Sequence, residues 1–495
     1  GLASTALSLA IVILIVAAWQ GTRSLARVER LLSPLLSVPH AAAALGLAFL
    51  IAPSGWIARL ISPWATGWDR PPDLLILHDP GGLALIAGLL TKEVPFLMLM
   101  TLAALPQADA AARMRVARAL GYGQVTGWLK TVLPAIYRQI RLPIYAVLAY
   151  AMSTVDMAMI LGPTTPPVLA VQVVAWMHDP DLSMRFQAAA GAVLQLALVI
   201  GALALWRICE MVGSAALTRW RGSGGRGNPA LERLIARGAL GLGVALAAML
   251  IAGLAGLAAW SVAGLWSFPD PLPHSLTLRS WARAAPGLAD PLRETLIIGA
   301  VAAAVSLALV IACLEAEHRT GRIPSDAARW LLYLPLIVPQ VAFLTGLQTL
   351  AIGVGLDGGR AAVIAAHIVF VLPYVFLSLS DPWRAWDRRQ ATVAHALGAG
   401  PLRVLWAVRL PMLLQPVLTA AAVGFAVSVG QYLPTLLVGA GRIETLTTEA
   451  VALSSGGDRR IVGVYTLVQF AVLVIPFAAA LLVPRLLQRR HADDG

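Results

Sequence analysis

Charge is the scarcest property of this sequence. Only 13% of its 495 residues are Asp, Glu, Lys or Arg, and 59% are hydrophobic. A soluble domain carries about 25% charged residues, so the balance excludes a soluble multidomain enzyme, a disordered chain and a nucleic-acid-binding module. Cysteine is nearly absent too. Cys209 and Cys313 lie in or beside apolar runs, too few for a disulfide framework and without metal-ligand spacing. Lysine occurs only at Lys92 and Lys130, and neither follows a glycine. There is therefore no glycine-rich loop ending in Gly-Lys-Ser/Thr to hold nucleotide phosphates. HExxH, CxxC and Gly-x-Ser-x-Gly patterns are missing as well, so the sequence asks for no catalytic residue, metal or cofactor. Energy for any work has to come from a partner or an ion gradient.

What the chain does have is long apolar runs, and its mean hydropathy is +0.78. Runs of about 20 apolar residues cross a bilayer as helices. Eleven are expected, near 3–19, 35–52, 82–105, 143–162, 186–206, 238–262, 295–314, 330–352, 361–380, 416–438 and 464–485. The expectation is an all-α polytopic protein in a lipid bilayer. The net charge of +12 then has to be read by loops. The alternate set 20–34, 106–142, 207–237, 315–329, 381–415 and 485–495 holds 26 Lys/Arg against 11 Asp/Glu. The other set, 53–81, 163–185, 263–293, 353–360 and 440–463, holds 10 against 11. Positively charged loops stay in the cytoplasm, so the first set is assigned there and the basic balance reports topology instead of nucleic-acid binding.

The chain repeats itself. Val116-Ala-Arg-Ala-Leu-Gly-Tyr-Gly123 returns as Val393-Ala-His-Ala-Leu-Gly-Ala-Gly400, 277 residues later. The same offset relates Leu133-Pro134 to Leu410-Pro411 and Gly162 to Gly439. An offset spanning an even number of helices gives two parallel-repeat halves in tandem. The expected division is a first half at 1–208, a cytoplasmic linker at 209–237 and a second half at 238–495. The linker holds Arg221-Gly-Ser-Gly-Gly-Arg-Gly-Asn-Pro229 and reads as flexible. Helix 238–262 has no counterpart in the first half, which suggests a six-plus-six plan whose first helix is missing from this chain.

The repeated segments, 107–141 and 381–415, are cytoplasmic. Each reads as a helix, a glycine break and a shorter helix ended by Pro134 or Pro411. Ala117 and Gly121, like Ala394 and Gly398, stand four apart on one helical face. So bare a face allows another backbone to approach closely. Trp128, Leu129 and Val132, and Val404, Leu405 and Trp406, are awkward to leave in water. They either pack on the membrane helices or meet a partner.

The pattern Ala-x3-Gly-x11-Leu-Pro, at Ala117/Gly121/Leu133/Pro134 and Ala394/Gly398/Leu410/Pro411, resembles the cytoplasmic EAA loop of ABC importer permeases. Two such loops in one chain are similar to the fused permeases of the ferric-iron and thiamine importer class. The stretch Thr445-Leu-Thr-Thr-Glu-Ala-Val-Ala-Leu-Ser-Ser-Gly-Gly-Asp-Arg-Arg460 adds to the likeness with the thiamine-like branch. The resemblance implies a bacterial inner-membrane permease subunit, not an enzyme itself. Two copies of an ATP-binding subunit would meet the loops, and a periplasmic binding protein would deliver a thiamine-like molecule or ferric iron. It assigns coupling to Ala117, Gly121, Trp128, Leu133, Pro134, Ala394, Gly398, Leu405, Leu410 and Pro411. The family's acidic residue at the head of the motif is here Arg115 or Thr392. The alternative is a twelve-helix secondary transporter of the major facilitator type, but neither Gln20–Pro34 nor Glu315–Arg329 carries the glycine–aspartate–basic motif expected of it.

Ionisable groups at membrane depth cost about 2.5–3.5 kcal/mol each on the insertion scale and mark function by default. Lys92 and Glu93 lie mid-span before Pro95, about 100° apart on a helix, so they serve two neighbours. They either line the translocation path or form a buried structural network. Asp156, near the outer end of its span, and Gln431-Tyr432, beside the equivalent position in the repeat, are further path candidates. Asp156 lines an outer gate or reaches interfacial water. Trp56, Trp64, Trp68, Trp266 and Trp281 form an aromatic belt or a docking surface for a binding protein.

The charge pattern has a direct test. Single cysteines at Ser223 and Ser275 should react with an impermeant maleimide from opposite faces of the membrane. Labelling of both from one face would overturn the helix count.

Overall fold

The computed structural model describes residues 1–32, 38–322, 324–356 and 358–493. The start of the expected span 35–52 and the terminal Gly495 lie outside the described residues. In chain order the helices begin with α1 (Leu2–Trp19), α2 (Arg23–Leu32), α3 (His40–Ile51), α4 (Trp56–Ile61), α5 (Leu83–Gln107), α6 (Ala110–Ala119), α7 (Gln124–Thr131) and α8 (Leu133–Ser153). They continue with α9 (Asp156–Leu161), α10 (Leu169–Met177), α11 (Met184–Gly222), α12 (Pro229–Ser261), α13 (Arg279–Thr320), α14 (Asp326–Ile337), α15 (Gln340–Gly353) and α16 (Arg360–Ala385). The last are α17 (Arg388–Ala396), α18 (Pro401–Val404), α19 (Leu410–Met412), α20 (Leu414–Val429), α21 (Leu433–Val438), α22 (Leu446–Ser454) and α23 (Arg459–Asp493). A π turn, Leu405–Arg409, joins α18 to α19. Among the described residues there is no strand.

Among the described residues eight helices are long and apolar enough to cross a membrane, and up to ten if each of two bent pairs counts as one span. The bent pairs are α14 with α15, at 104°, and the segment Pro401–Met412 with α20, at 80°. The remaining expected crossing, 143–162, falls on α8 and α9, which break at Thr154-Val155. Arg138 and Arg141 stand in the first half of α8, so no clean apolar window develops there.

The chain separates into two compact units. One comprises Gly1–Ser280, Ile337–Ala342 and Ser454–Gly463, and the other Trp281–Leu336, Phe343–Leu453 and the chain from Val464 onward. In the first unit α3 is enclosed on all sides, with every residue from Ala41 to Leu50 buried. Its small residues allow α12 to come very close. A Cβ added at Gly46 would lie 2.9 Å from the backbone of Gly253, and one at Gly253 would lie 2.8 Å from Gly46. Membrane helices associate through packing and not through a hydrophobic drive, and small residues at the crossing make that packing tight. In the second unit the core gathers Val310, Leu314, Val371, Val375, Leu379, Trp383, Trp386 and Val404.

The linker differs from expectation. The sequence reads 209–237 as flexible, yet α11 stays helical through Gly222 and α12 begins at Pro229. Only 223–228 is irregular. Nothing between Cys209 and Arg221 breaks a helix, and Asn228 starts the next one by accepting from Ala230 N at 2.9 Å, with Pro229 at the first helical position. Helix α12 also packs with α1 and α3 in the first unit, so the expected boundary at 238 does not coincide with the compact units.

The glycine crossing predicts a position-specific effect within one helix. Gly253→Leu should cost about 1–3 kcal/mol by overpacking, read as a lower thermal midpoint in detergent. Gly241→Leu, where an added Cβ meets nothing within 4 Å, should leave the midpoint unchanged.

Candidate functional site

The two loops singled out by the repeat share one backbone design. In the first, α6 ends at Ala119 with Leu120 as its cap, and Gly121 takes φ +82. Gly121 N donates to Arg118 O at 2.9 Å and Tyr122 N to Ala117 O at 3.0 Å. In the second, α17 ends at Ala396 with Leu397 as its cap, and Gly398 also takes φ +82. Gly398 N donates to His395 O at 2.9 Å and Ala399 N to Ala394 O at 3.0 Å. Both are Schellman motifs, in which a left-handed residue lets two amides turn back onto the last helical carbonyls. Glycine is required there because a Cβ in that conformation strains the chain. The matched alanines supply the accepting carbonyls.

The small-residue face of the first loop is already occupied. Ala117 is buried, and a Cβ added at Gly127 of α7 would sit 3.2 Å from the Ala117 Cβ. The close backbone approach expected there is thus made by the loop's own second helix. Trp128, expected to meet a partner, is fully buried. Lys130 is buried beside it, its ammonium 4.7 Å from the Trp220 ring and 5.3 Å from that of Tyr122. Val116 and Leu120 are the large apolar side chains this loop exposes among its described residues.

The second loop treats the matched positions alike, burying Leu405 as the first buries Trp128 and exposing Val393 and Leu397 as the first exposes Val116 and Leu120, and it exposes more besides. Leu405, expected outside, is buried, while Leu397, Leu402 and Trp406 stand exposed, Trp406 at 69%. Arg409 holds the loop down. Its guanidinium is buried against Trp386 at 4.3 Å and Trp383 at 5.5 Å, and it pairs with Glu315 of α13, which Arg319 also contacts at 2.7 Å. Of the other motif residues, Leu133, Pro134 and Leu410 are half-buried, whereas Pro411 is exposed. Sequence reasoning named Trp406 as a group awkward to leave in water but missed Arg409. The signal was an Arg placed directly before Leu410-Pro411 and two tryptophans, Trp383 and Trp386, at helical spacing upstream.

The intramembrane polar residues sort by unit. In the first, Glu93 accepts from Ser4 Oγ at 3.0 Å and Ser8 Oγ at 2.7 Å, both on α1. Lys92 Nζ donates to Val38 O at 2.6 Å. The adjacent charges therefore serve separate neighbours, as their angular separation dictates. Asp156 opens α9 just after the break that follows α8 and accepts from Thr154 Oγ1 at 3.0 Å. In the second unit Gln431 and Tyr432 lie between α20 and α21 and are buried. That break is tied by side chains. His367 bridges Ser428 at 2.7 Å and Thr435 at 2.9 Å, Thr435 Oγ1 donates to Gln431 O at 3.0 Å, and Thr447 Oγ1 donates to Val429 O. The Gln431 Oε1 is buried without a hydrogen-bond partner among the described residues. Trp56 and Trp266 are bound within the first unit, to Pro271 O at 3.0 Å and Asp270 O at 2.8 Å, whereas Trp64 is exposed. The described residues hold no group of three or more His, Cys, Asp or Glu arranged to bind a metal.

A chain with no strand among its described residues and with this many helices long and apolar enough to cross a bilayer is a multi-pass helical membrane protein. Residues 304–492 match the family of binding-protein-dependent transport system inner membrane components. The chain is 32% identical over 475 residues to the inner membrane ABC transporter permease protein YnjC of Escherichia coli K12, covering 96% of this chain and 84% of that protein. It is 29% identical to the putrescine transport system permease protein PotI of the same organism, over 40% of this chain and 74% of PotI. It is also 30% identical to the molybdenum transport system permease protein ModB of Mycobacterium tuberculosis, over 37% of this chain and 75% of ModB. The chain belongs to the ABC transporter permeases of the binding-protein-dependent family. It is a multi-pass protein of the bacterial inner membrane, and that membership leaves the secondary-transporter alternative without support.

The polar contacts of Lys92 predict how it fails. Lys92→Ala leaves the Val38 carbonyl without this donor, a loss of about 1–3 kcal/mol. Expression and thermal midpoint should fall, with uptake falling in proportion to folded protein. Normal stability with lost uptake would instead put Lys92 on the path.

Proposed function

We propose that this chain is the permease subunit of an ATP-driven importer in which two homologous halves are fused. Two copies of an ATP-binding subunit dock on the loops 107–141 and 381–415, and a periplasmic binding protein delivers the substrate at the opposite face. The observation that carries this reading is the doubled turn, with the same two hydrogen bonds and the same φ of +82 at Gly121 and Gly398. The fusion is supported by the lengths of the matches. About three quarters of PotI and of ModB align within 40% or less of this chain, whereas YnjC aligns along nearly all of it.

Coupling belongs to the exposed apolar side chains of each loop, Val116 and Leu120 in one and Leu397, Leu402 and Trp406 in the other. The buried Trp128 and Leu405 support them from beneath. Ala117, Ala394, Leu133, Pro134, Leu410 and Pro411 set the path of the backbone. As the ATP sites close, the loops are drawn together and the path opens outward; as they part, it opens inward. Lys92, Glu93, Asp156, Gln431 and Tyr432 are the candidates for the path, and the helix breaks beside Asp156 and Gln431 support the last three. Broken helices at membrane depth are where transporters place polar sites. The substrate is a thiamine-like small molecule or ferric iron, a choice that rests on the likeness of 445–460. Identifying what the binding protein of the purified complex carries tests it.

Gly121→Val and Gly398→Val put a β-branched residue at φ +82, where each turn has to distort. Each single variant should weaken stimulation of ATP hydrolysis by the loaded binding protein, and the double variant should abolish it, while docking of the binding protein persists. A double variant that is stimulated normally would remove these loops from the coupling role.

A further inference from the structure

The irregular segment between α11 and α12 does not hang free. Within the first unit it runs along the first loop and accepts hydrogen bonds from it, Gly123 N donating to Arg226 O and Lys130 Nζ to Gly225 O, each at 2.8 Å. Three residues into α12, Glu232 turns its carboxylate away from its own helix and onto the start of α7. Its Oε1 accepts from Thr126 N at 3.0 Å and Thr126 Oγ1 at 2.6 Å, and its Oε2 accepts from Val125 N at 3.2 Å. Val125 and Thr126 are the second and third residues of α7, whose amides an N-cap side chain ordinarily takes. The N-cap of α7 is Gly123, which has no side chain to offer. A carboxylate at this end also meets the positive pole of the helix. The glycines follow from the same contact, since a Cβ on Gly123 or Gly227 would collide with the Glu232 carboxylate.

We propose that Glu232 is a positioning residue that clamps the first coupling helix, α7, to the cytoplasmic end of the spanning helix α12, making α12 a direct transmission rod. Helix α12 is uninterrupted for 33 residues, about 50 Å at 1.5 Å per residue. At its far end Trp260 stacks on Trp266 at 4.4 Å and faces the Arg59 and Arg459 guanidinium groups at 5.5 and 5.7 Å. Arg59 is fixed in turn by the carbonyls of Ser54, Ser267 and Asp270. A displacement of α7 is thus carried along α12 to the outer loop 262–278 of the same unit. The inference rests on the coupling role proposed for the loops and adds a route out of one of them. Among the described residues no side chain from another helix is seen to bind the start of the second loop's short helix, where Pro401 follows Gly400.

The test uses the full chain assembled with its ATP-binding subunit and binding protein in proteoliposomes. Glu232→Ala should assemble but lose at least about fivefold of the stimulation by loaded binding protein, the low end of ordinary coupling between sites. Amide exchange at Val125 and Thr126 should quicken, while exchange across 388–404 stays as in the parent. Glu232→Ala with full stimulation, beside a Gly121→Val/Gly398→Val variant that is uncoupled, would overturn the clamp and leave the coupling role standing. Normal coupling in that double glycine variant would overturn the role itself. Should Glu232→Ala fail to assemble, Glu232→Gln decides. It keeps the reach but offers one acceptor oxygen in place of two, so the Val125 amide should exchange faster and stimulation should drop. Full stimulation in Glu232→Gln would overturn the clamp.

Discussion

In hydrocarbon, a backbone group that leaves its helix has to find a partner inside the protein. The polar residues of this chain are arranged around that demand. Pro39 sets the start of α3, and the carbonyl of Val38 just before it would be stranded. Lys92 reaches it from the neighbouring helix α5. Where α20 gives way to α21, Thr447, Thr435 and His367 gather on the freed carbonyls and hydroxyls. Where α8 gives way to α9, Thr154 and Asp156 bind each other. A lysine, a histidine and several threonines would be costly in a bilayer interior. Here they offset a larger cost, that of irregular backbone left unpaired.

The two loops obey one backbone rule and differ in everything that holds them. Each has a glycine at φ +82 and an alanine carbonyl receiving the return bond. The first loop is held from the linker side, by Glu232 at the start of its short helix. The second is held from below, where Arg409 pairs with Glu315 and lies between two tryptophans. The residue that matches Arg409 in the repeat is Val132, fully buried and apolar. A π turn accompanies Arg409, and such turns are frequent at functional sites. Conserving the turn fixes the shape presented outward, and the supports beneath it are free to diverge.

These contrasts explain what was legible in the sequence. Apolar runs and loop charge are one-dimensional signals, and they gave the helical class and all but one of the expected crossings without difficulty. The glycine breaks were legible because a left-handed residue leaves a compositional mark. Which face of a short helix points outward is a different matter. Val125 and Leu402 occupy the same place in the repeat, yet the first is buried and the second exposed. Nothing within either short helix decides this, because the groups packed against it come from elsewhere in the chain. Gly225, Arg226 and Glu232 close over the first loop, while Trp383 and Trp386 fill the space under the second. The linker was misread for a related reason. Its glycines cluster in 222–227, and composition spread their flexibility over 209–237, although the flanking residues propagate helix on both sides.

Under the fusion proposed above, the junction between the halves supplies the asymmetry. When two halves are separate chains, nothing ties the end of one to the loops of the other except diffusion and docking. Joining them places the start of α12 a few residues beyond the end of α11, at high effective concentration next to the first loop. A carboxylate there can displace water from the two amides of α7 at small entropic cost, because both helices are already fixed by the membrane. The second loop follows no such junction and has no covalently held partner, so it relies on a buried ion pair from its own half. In the coupling role proposed for them, two loops that present the same turn would therefore yield differently under load. The first is tied to a spanning helix, and the second rests on the core of Trp383, Trp386 and Leu405.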